Sequence, residues 1–388
     1  MRNSLTSVGA ILQAGLTKAL SGLLLAATVS IAAGADLVVT HIAPYSGPAG
    51  SIGRDYGNGA RLYFDYVNAH GGINGAKISF LARDDASDPD LTRRHADASL
   101  LDRPVVFIGT MGADNINSLM PTLTTLHAAL LGPIVNATEV SATNSAYIFP
   151  IRPSVREEIK GLAAELYARG MRKIAVCHQP DATGAGGATG VESFMAERNT
   201  KLLIAARCDG DAAEIDAAAS AIAATDPQAV IVVGDTSRAG RFIKALRAKG
   251  SVAMVATNSS VDPKVLVSML PPAAAIWLAV AESIPNPNLL TPRPGEAIVR
   301  EFLAMRSLGP SPTPLSRASL AGFITAKITT EAIRRAGANP SSADVLKALA
   351  QLSNYDVGGI MVNFAQDRPR GTNYTRLGII NANGVVLN

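Results

Sequence analysis

The sequence predicts an α/β protein with two doubly wound, parallel-sheet lobes, and three observations carry that prediction. From Asp36 onward, short apolar runs alternate with amphipathic stretches. Short strands separated by helical segments of ~10–15 residues mark βαβ units, whose sheet is covered on both faces. The alternation also happens twice: the later three runs of each half recur at an offset of roughly 125 residues, the spacing of duplicated domains rather than of a short-period array. Finally, 388 residues suffice for two domains that each bury a core.

Taken in order, the chain opens with a segment set apart from this pattern. Arg2 and Lys18 precede or flank an apolar run from Ala19 to Ala33, and Ala33-Gly34-Ala35 has the small-x-small form of a signal-peptidase site. The run is roughly 15 residues, short of the ~20 that span a bilayer. Residues 1–35 are therefore expected to be a signal peptide cleaved after Ala35, leaving a soluble, exported chain that starts at Asp36. No cysteine stands at the cleavage point to carry a lipid.

The first half supplies the runs DLVVTHIAP, KISFLARD, PVVFIGT and ALLGPIV. Between them lie the helical stretches GNGARLYFDYVNAH, PDLTRRHADASLLD and NINSLMPTLTTLHA. The junction NAHGGINGAKISFLARDDASDP, residues 68–89, shows how local chemistry sets the boundaries. Ala60, Tyr63, Phe64 and Val67 share one helical face. Gly71 or Gly72 closes that helix in the left-handed conformation, with Ile73 packing back, and Asn74-Gly75 turns tightly into the strand. Asp88-Pro89 starts the next helix, a capping carboxylate before proline at the first helical position. Asp84 and Asp85 end a strand, the edge where ligands bind in such sheets, but the further oxygen ligands a metal needs are missing nearby.

The second half repeats the scheme with KIAVCHQ, KLLIAARC, AVIVVGD and AMVATNS, separated by VESFMAERN, AAEIDAAASAIAATD and SRAGRFIKALRAKG. Cys177 and Cys208 each fall late in a predicted strand. Export permits a disulfide between them, while buried, unpaired thiols are the favoured expectation. Beyond residue 280, the proline-rich stretches IPNPNLLTPRPG and GPSPTPLS surround a short helix, EAIVREFLAMRS. A long apolar helix, SLAGFITAKITTEAIRRAG, then ADVLKALAQL, lead to a tail of two or three strands with an Asn-Gly turn that completes the two sheets.

Charge and composition exclude several classes. Without Arg2 and Lys18, the 35 basic residues become 33 against 31 acidic ones, so no basic face is left over for nucleic acid. The five histidines are scattered, and no HExxH or CxxC spacing suggests zinc. No cofactor is expected.

The run PYSGPAGSIGRDYGNGARLYFDYVNAHGGINGAKISFLARDDASDP, together with FIGTMG, LLGPIVNATE, YIFPIRPS, RKIAVCHQPDATGAG and DPQAVIVVGDTSRAGRFIKALRAKG, resembles the type I periplasmic solute-binding proteins of ABC importers, in the leucine/isoleucine/valine-binding branch. LAGFITAKITTEAIRRAG and YDVGGIMVNF extend the resemblance to nearly all of residues 36–388. It implies a clamshell with a three-segment hinge. Lobe 1 would comprise 36–154 plus 283–375, and lobe 2 would comprise 155–282 plus 376–388. It also implies a periplasmic monomer that takes a small-molecule ligand to permease and ATPase partners, with no catalytic residues.

The resemblance places the ligand on loops at strand ends. Lobe 1 would offer Tyr45, Ser46, Ile52 and Gly53, then Met111, Gly112, Ala113 and Asp114, then Ile134, Val135 and Asn136. Lobe 2 would offer Thr183, Asp235 and Ser259. Amino-acid binders of this kind carry a serine where Ala113 stands and a glutamate near Ser259, so the usual α-amino-acid clamp is missing. Asp235 is the alternative partner for a buried ammonium. Otherwise the ligand is expected to be an organic or aromatic acid, an amide or a urea-like molecule. For an acid, Arg152 is the candidate cation, set against a structural place near the crossover. Asp114 has its own structural alternative as the cap of the helix NINSLMPTL.

Two rival functions come from other classes. TGAGGATG, residues 183–190, reads as a glycine-rich loop between a strand and a helix, but a dinucleotide fingerprint puts its first glycine directly at the strand end, and HQPDAT intervenes here. No GxSxG elbow supports a hydrolase, and His178, at a strand end, is expected to be a hydrogen-bonded wall residue. The same clamshell also serves as a sensor reporting to a regulator or kinase, and fold alone does not separate that role from transport.

Overall fold

The computed structural model describes residues 36–134, 146–208, 210–288, 295–308, 313–365 and 371–387. The expected signal peptide and the site positions Val135 and Asn136 lie outside the described residues.

The first sheet forms from β1 (Leu37–Ala43), β2 (Ile78–Asp84), β3 (Val106–Ile108), β4 (Ala129–Leu131) and β5 (Ile148–Phe149), connected by α1 (Gly50–Ala69), α2 (Pro89–Asp102) and α3 (Ala113–Leu126). Its order is β2-β1-β3-β4-β5, all parallel. Alternate residues of the same strand serve two cores: Val106 and Ile108 pack with Tyr56 and Phe64, while Phe107 packs with Ile42 and Leu119. Burial on both faces is why these strands are apolar without alternation.

The expected punctuation forms as chemistry dictates. His70 ends α1, Gly72 donates to the Val67 carbonyl at 2.9 Å, and Ile73 is buried. Asn74-Gly75 turns with both residues at positive φ, and Asp88 caps α2 ahead of Pro89.

The second sheet follows α4 (Val155–Ala168). It contains β6 (Ile174–His178), β7 (Ala205–Arg207), β8 (Ala229–Val233), β9 (Met254–Thr257) and β10 (Leu278–Glu282), with α5 (Ala182–Ala196), α6 (Ala212–Ala223), α7 (Thr236–Ala248) and α8 (Pro263–Met269) between them. The remaining elements are α9 (Ala297–Leu308), α10 (Arg317–Ala336), α11 (Ser342–Ala350), β11 (Tyr355–Asp356), β12 (Met361–Asn363), β13 (Gly371–Thr372), β14 (Arg376–Ile380) and β15 (Val386–Leu387). The sheet order is β15-β14-β10-β9-β8-β6-β7, with β6 to β10 parallel and the last two strands antiparallel. The chain leaves the first sheet after β5, leaves the second after β10, and re-enters it at β14, so three segments connect the two lobes of the clamshell.

The structure departs from the expected elements in three places. β5 is two residues long, too short to show a period, and β10 hides behind the alanine-rich PPAAAIW. The tail supplies more than two or three strands, because β11 to β13 make a small antiparallel sheet of their own before β14 and β15 join the second sheet. Cys177 and Cys208 are bonded, not free. β7 pairs beside β6 with Cys177 opposite Ala206, and the Cys208 amide donates to the His178 carbonyl at 2.9 Å. That register brings the two Cα atoms to 5.5 Å, a disulfide distance that only strand pairing reveals.

Candidate ligand site at the carboxyl edges of the two sheets

On the first sheet, the loop after β1 is fixed from below. Asp84, at the end of β2, accepts hydrogen bonds from the backbone amides of Tyr45 (2.8 Å), Ser46 (3.2 Å) and Ala86 (2.9 Å). Slight burial opposes ionisation of this carboxyl, but those donors hold its pKa down to about 2. Asp85 turns inward to Thr92 (2.8 Å), the Ser87 amide (3.0 Å) and Asn115 (3.3 Å). The DD pair is thus loop scaffolding.

The Tyr45 side chain is also held. Its hydroxyl lies 2.7 Å from Nδ1 of buried His41, whose Nε2 lies 3.3 Å from the Gly109 carbonyl. A carbonyl only accepts, so Nε2 carries the proton and Nδ1 accepts from the Tyr45 hydroxyl. Burial pulls the His41 pKa from 6.5 to about 4, against the Gly109 bond. Gly53 fits under this loop because a Cβ there would stand 1.9 Å from the Pro44 carbonyl oxygen, while Ile52 remains exposed.

The next two loops are joined to each other: Met111 bridges Ile134, whose amide donates to the Thr110 carbonyl at 3.0 Å. Asp114 is not the cap of α3. Gly112 holds that position at φ 94°, which its lack of a side chain permits, and no side chain caps the helix. Asn115, in the first turn, is bonded to Thr92 and Asp85. Among the described residues, the first-turn amides of Ala113 and Asp114 therefore end the sheet's carboxyl edge without a side-chain acceptor, the arrangement that suits an anion.

On the second sheet, Thr183 lies in the first turn of α5, half-buried, and Asp181 caps that helix through the Gly184 amide at 2.8 Å. TGAGGATG is therefore helix, not loop. Its glycines are small for packing: a Cβ on Gly187 would meet Val233 at 2.9 Å, and one on Gly190 would meet the Arg156 carbonyl at 2.4 Å. Asp235 caps α7 through the Arg238 amide and pairs with its guanidinium, both at 2.8 Å. The His178 Nδ1 donates to the Gln179 carbonyl at 2.8 Å, a wall contact.

Ser259 follows β9, and its amide and hydroxyl donate to the two carboxylate oxygens of Glu158 at 2.8 and 2.6 Å. Burial pushes the Glu158 carboxyl up in pKa, while the Ser259 bonds and the Arg152 charge pull it down. Glu158, one of two first-turn acids of α4, is not among the site residues expected from the sequence. The signal was present: Val155, Glu158, Ile159 and Leu162 follow the i, i+3, i+4, i+7 spacing of a buried face.

Arg152 sits among the connecting segments. Its Nη1 donates to Ser283, just past β10, at 3.2 Å, and a Cβ on Gly371 would stand 2.1 Å from its carbonyl oxygen. Beside it, Arg317 of α10 forms an ion pair with Glu282. A cavity of about 460 Å³ lies at the opposite edge of the first sheet, against Asp36, Val38, Arg103 and Ser341, and none of the candidate residues line it.

The periplasmic binding protein family profile matches residues 37–384. This chain belongs to the periplasmic binding protein family. It is similar to a substrate-binding periplasmic protein from Ralstonia solanacearum, with 34% identity over 91% of this chain and 99% of that one and a TM-score of 0.61. An amino acid binding protein of Pseudomonas aeruginosa is 24% identical over 84% of this chain and 85% of its own length. A putative branched-chain amino acid ABC transporter protein from Rhodospirillum rubrum shares the fold at a TM-score of 0.67, with 21% identity over 91% of this chain and 99% of that one. The family is one of solute-binding proteins, so this chain is not an enzyme.

Proposed function

We propose that this protein works outside the cytoplasm, after cleavage following Ala35, as a monomer that captures a small polar solute and passes it to the permease and ATPase of an ABC importer. The observation that carries this reading is the convergence of the loops after β1, β3, β4, β6, β8 and β9 on the carboxyl edges of two parallel sheets, where such architecture takes ligands. The names of the Pseudomonas aeruginosa and Rhodospirillum rubrum relatives point the same way.

In this reading lobe 1 is 36–154 with 283–375 and lobe 2 is 155–282 with 376–388. The solute carries an acid or amide group, which meets the amides of Ala113 and Asp114 at the start of α3. Arg152 is a hinge residue rather than the acid's anchor, since its hydrogen bond to Ser283 ties two of the connecting segments. Closure follows because a solute touching both lobes favours the closed form by its differential contacts.

Thermal unfolding of the purified protein against amino acids, aliphatic and aromatic acids, amides and urea-like solutes tests the reading. A ligand at ~100 times its dissociation constant adds ~2.7 kcal/mol, a rise of several degrees. A panel that leaves the midpoint unmoved throughout overturns capture of such solutes.

A further inference from the structure

Glu158 spends its charge in an unusual way. Its neighbour Glu157 stays partly exposed in the first turn of α4, where a negative charge is favoured near the helix start. Glu158 instead turns inward and is 4% exposed. Burying a carboxylate costs several kcal/mol unless its oxygens are fully engaged. An ionised carboxylate offers about four lone-pair positions, and the bonds from Ser259 fill two of them. Among the described residues no cation stands within ion-pair distance: Arg152 acts on it through space, while its own hydrogen bond goes to Ser283.

The position is as telling as the chemistry. Ser259 lies just past β9, and Gly187 brings α5 against both Val233 at the end of β8 and Ile159, the next residue of α4. Glu158 therefore lies where the carboxyl edge of the second sheet meets the first turn of α4, beside α5. Asp235, the carboxylate that sequence position favours, is occupied by its helix cap and by Arg238.

We infer that Glu158, oriented by Ser259, is a specificity-determining residue that receives a positively charged N–H group of the solute. The inference rests on the solute-binding function proposed above. It narrows the ligand to solutes bearing a cationic nitrogen, and it relocates the site's acid from the strand-end loops to the first turn of α4.

Matched probes test it: leucine against 4-methylpentanoate and phenylalanine against 3-phenylpropanoate, with 3-methylbutylamine and phenethylamine as acid-free partners. Calorimetric titration of the wild-type protein is expected to show binding by ammonium-bearing probes and weaker or no binding by their deaminated counterparts. Glu158→Gln keeps an acceptor for Ser259 and removes the charge, so it is expected to weaken the ammonium-bearing probes ~10-fold or more. Should that variant fold poorly, Glu158→Asp keeps the charge but withdraws it, and an intermediate loss is expected. Deaminated probes that bind as tightly as their amines, or variants that retain wild-type affinity, overturn the inference. If only neutral or purely acidic solutes of the broader panel bind, Glu158 loses this role and solute capture stands. If nothing in either panel binds, both fall.

Discussion

The two carboxyl edges solve the same problem with different materials. On the first sheet the loops present backbone: the Asp84 carboxylate gathers three amides from beneath, Gly112 opens α3 without a side-chain cap, and Met111 and Ile134 bridge loop to loop. On the second sheet side chains do the work, with Asp181, Asp211, Asp235 and Asp262 capping α5 to α8 in turn and Glu158 gripping Ser259. A backbone surface presents donors at fixed positions with little side-chain entropy to lose. A side-chain surface can change its ligand preference with one substitution. Under the proposed function, the first lobe would receive a group common to many solutes, and the second would be the place for selection.

The largest test of that contrast concerns rigidity in the second lobe. The bridge from Cys177 to Cys208 spans 31 residues and fastens the edge strand β7, whose only strand partner among the described residues is β6. Replacing both cysteines by serine is expected to lower unfolding free energy by about 3–4 kcal/mol on the chain-entropy account, measured by urea titration. A loss under ~1 kcal/mol would mean that packing alone holds the edge.

Next in size is the first lobe's dependence on a neutral His41. Its pKa is near 6.5 unfolded and about 4 folded, so between those values the unfolded chain binds more protons. Its contribution is complete above pH 6.5 and is lost as pH falls toward 4. The full loss approaches ~3 kcal/mol for a wholly buried ring. Ring titration by NMR isolates this residue from the carboxyl groups. A His41 that titrates near 6.5 would mean the Tyr45 loop is not fixed as described.

Sequence made the layered scaffold legible because both sheets are covered on two faces, which turns strands such as Val230, Ile231 and Val232 into continuous apolar runs. The strand-end positions were legible for the same reason: Tyr45, Met111, Asp235 and Ser259 all fall where a run stops. Partners across the fold were not. Nothing local to Ser259 announces Glu158, 101 residues away, and nothing local to Cys177 announces the register of β7. The glycines of TGAGGATG misled because a small residue serves a turn and a close helix contact equally well, and only the neighbours Val233 and Arg156 decide between them. Asp114 misled similarly: it stands in the first turn of α3, but the residue before the helix is Gly112.

The smallest effect is the sharpest test of which carboxylate does what. Asp235 was the natural candidate for a ligand's charge, yet its Oδ1 accepts from the Arg238 amide and its Oδ2 meets the Arg238 guanidinium. Its side chain is 60% exposed, so that ion pair adds little, and the cap is what remains to be lost. Asp235→Ala is expected to cost ~1 kcal/mol of stability, while Asp235→Asn, which still caps, stays within a few tenths. Solute affinity should be unchanged in both. If instead Asp235→Asn weakens binding tenfold while stability holds, the charge of Asp235 faces the solute. Selection in the second lobe would then belong to the end of β8 rather than to α4.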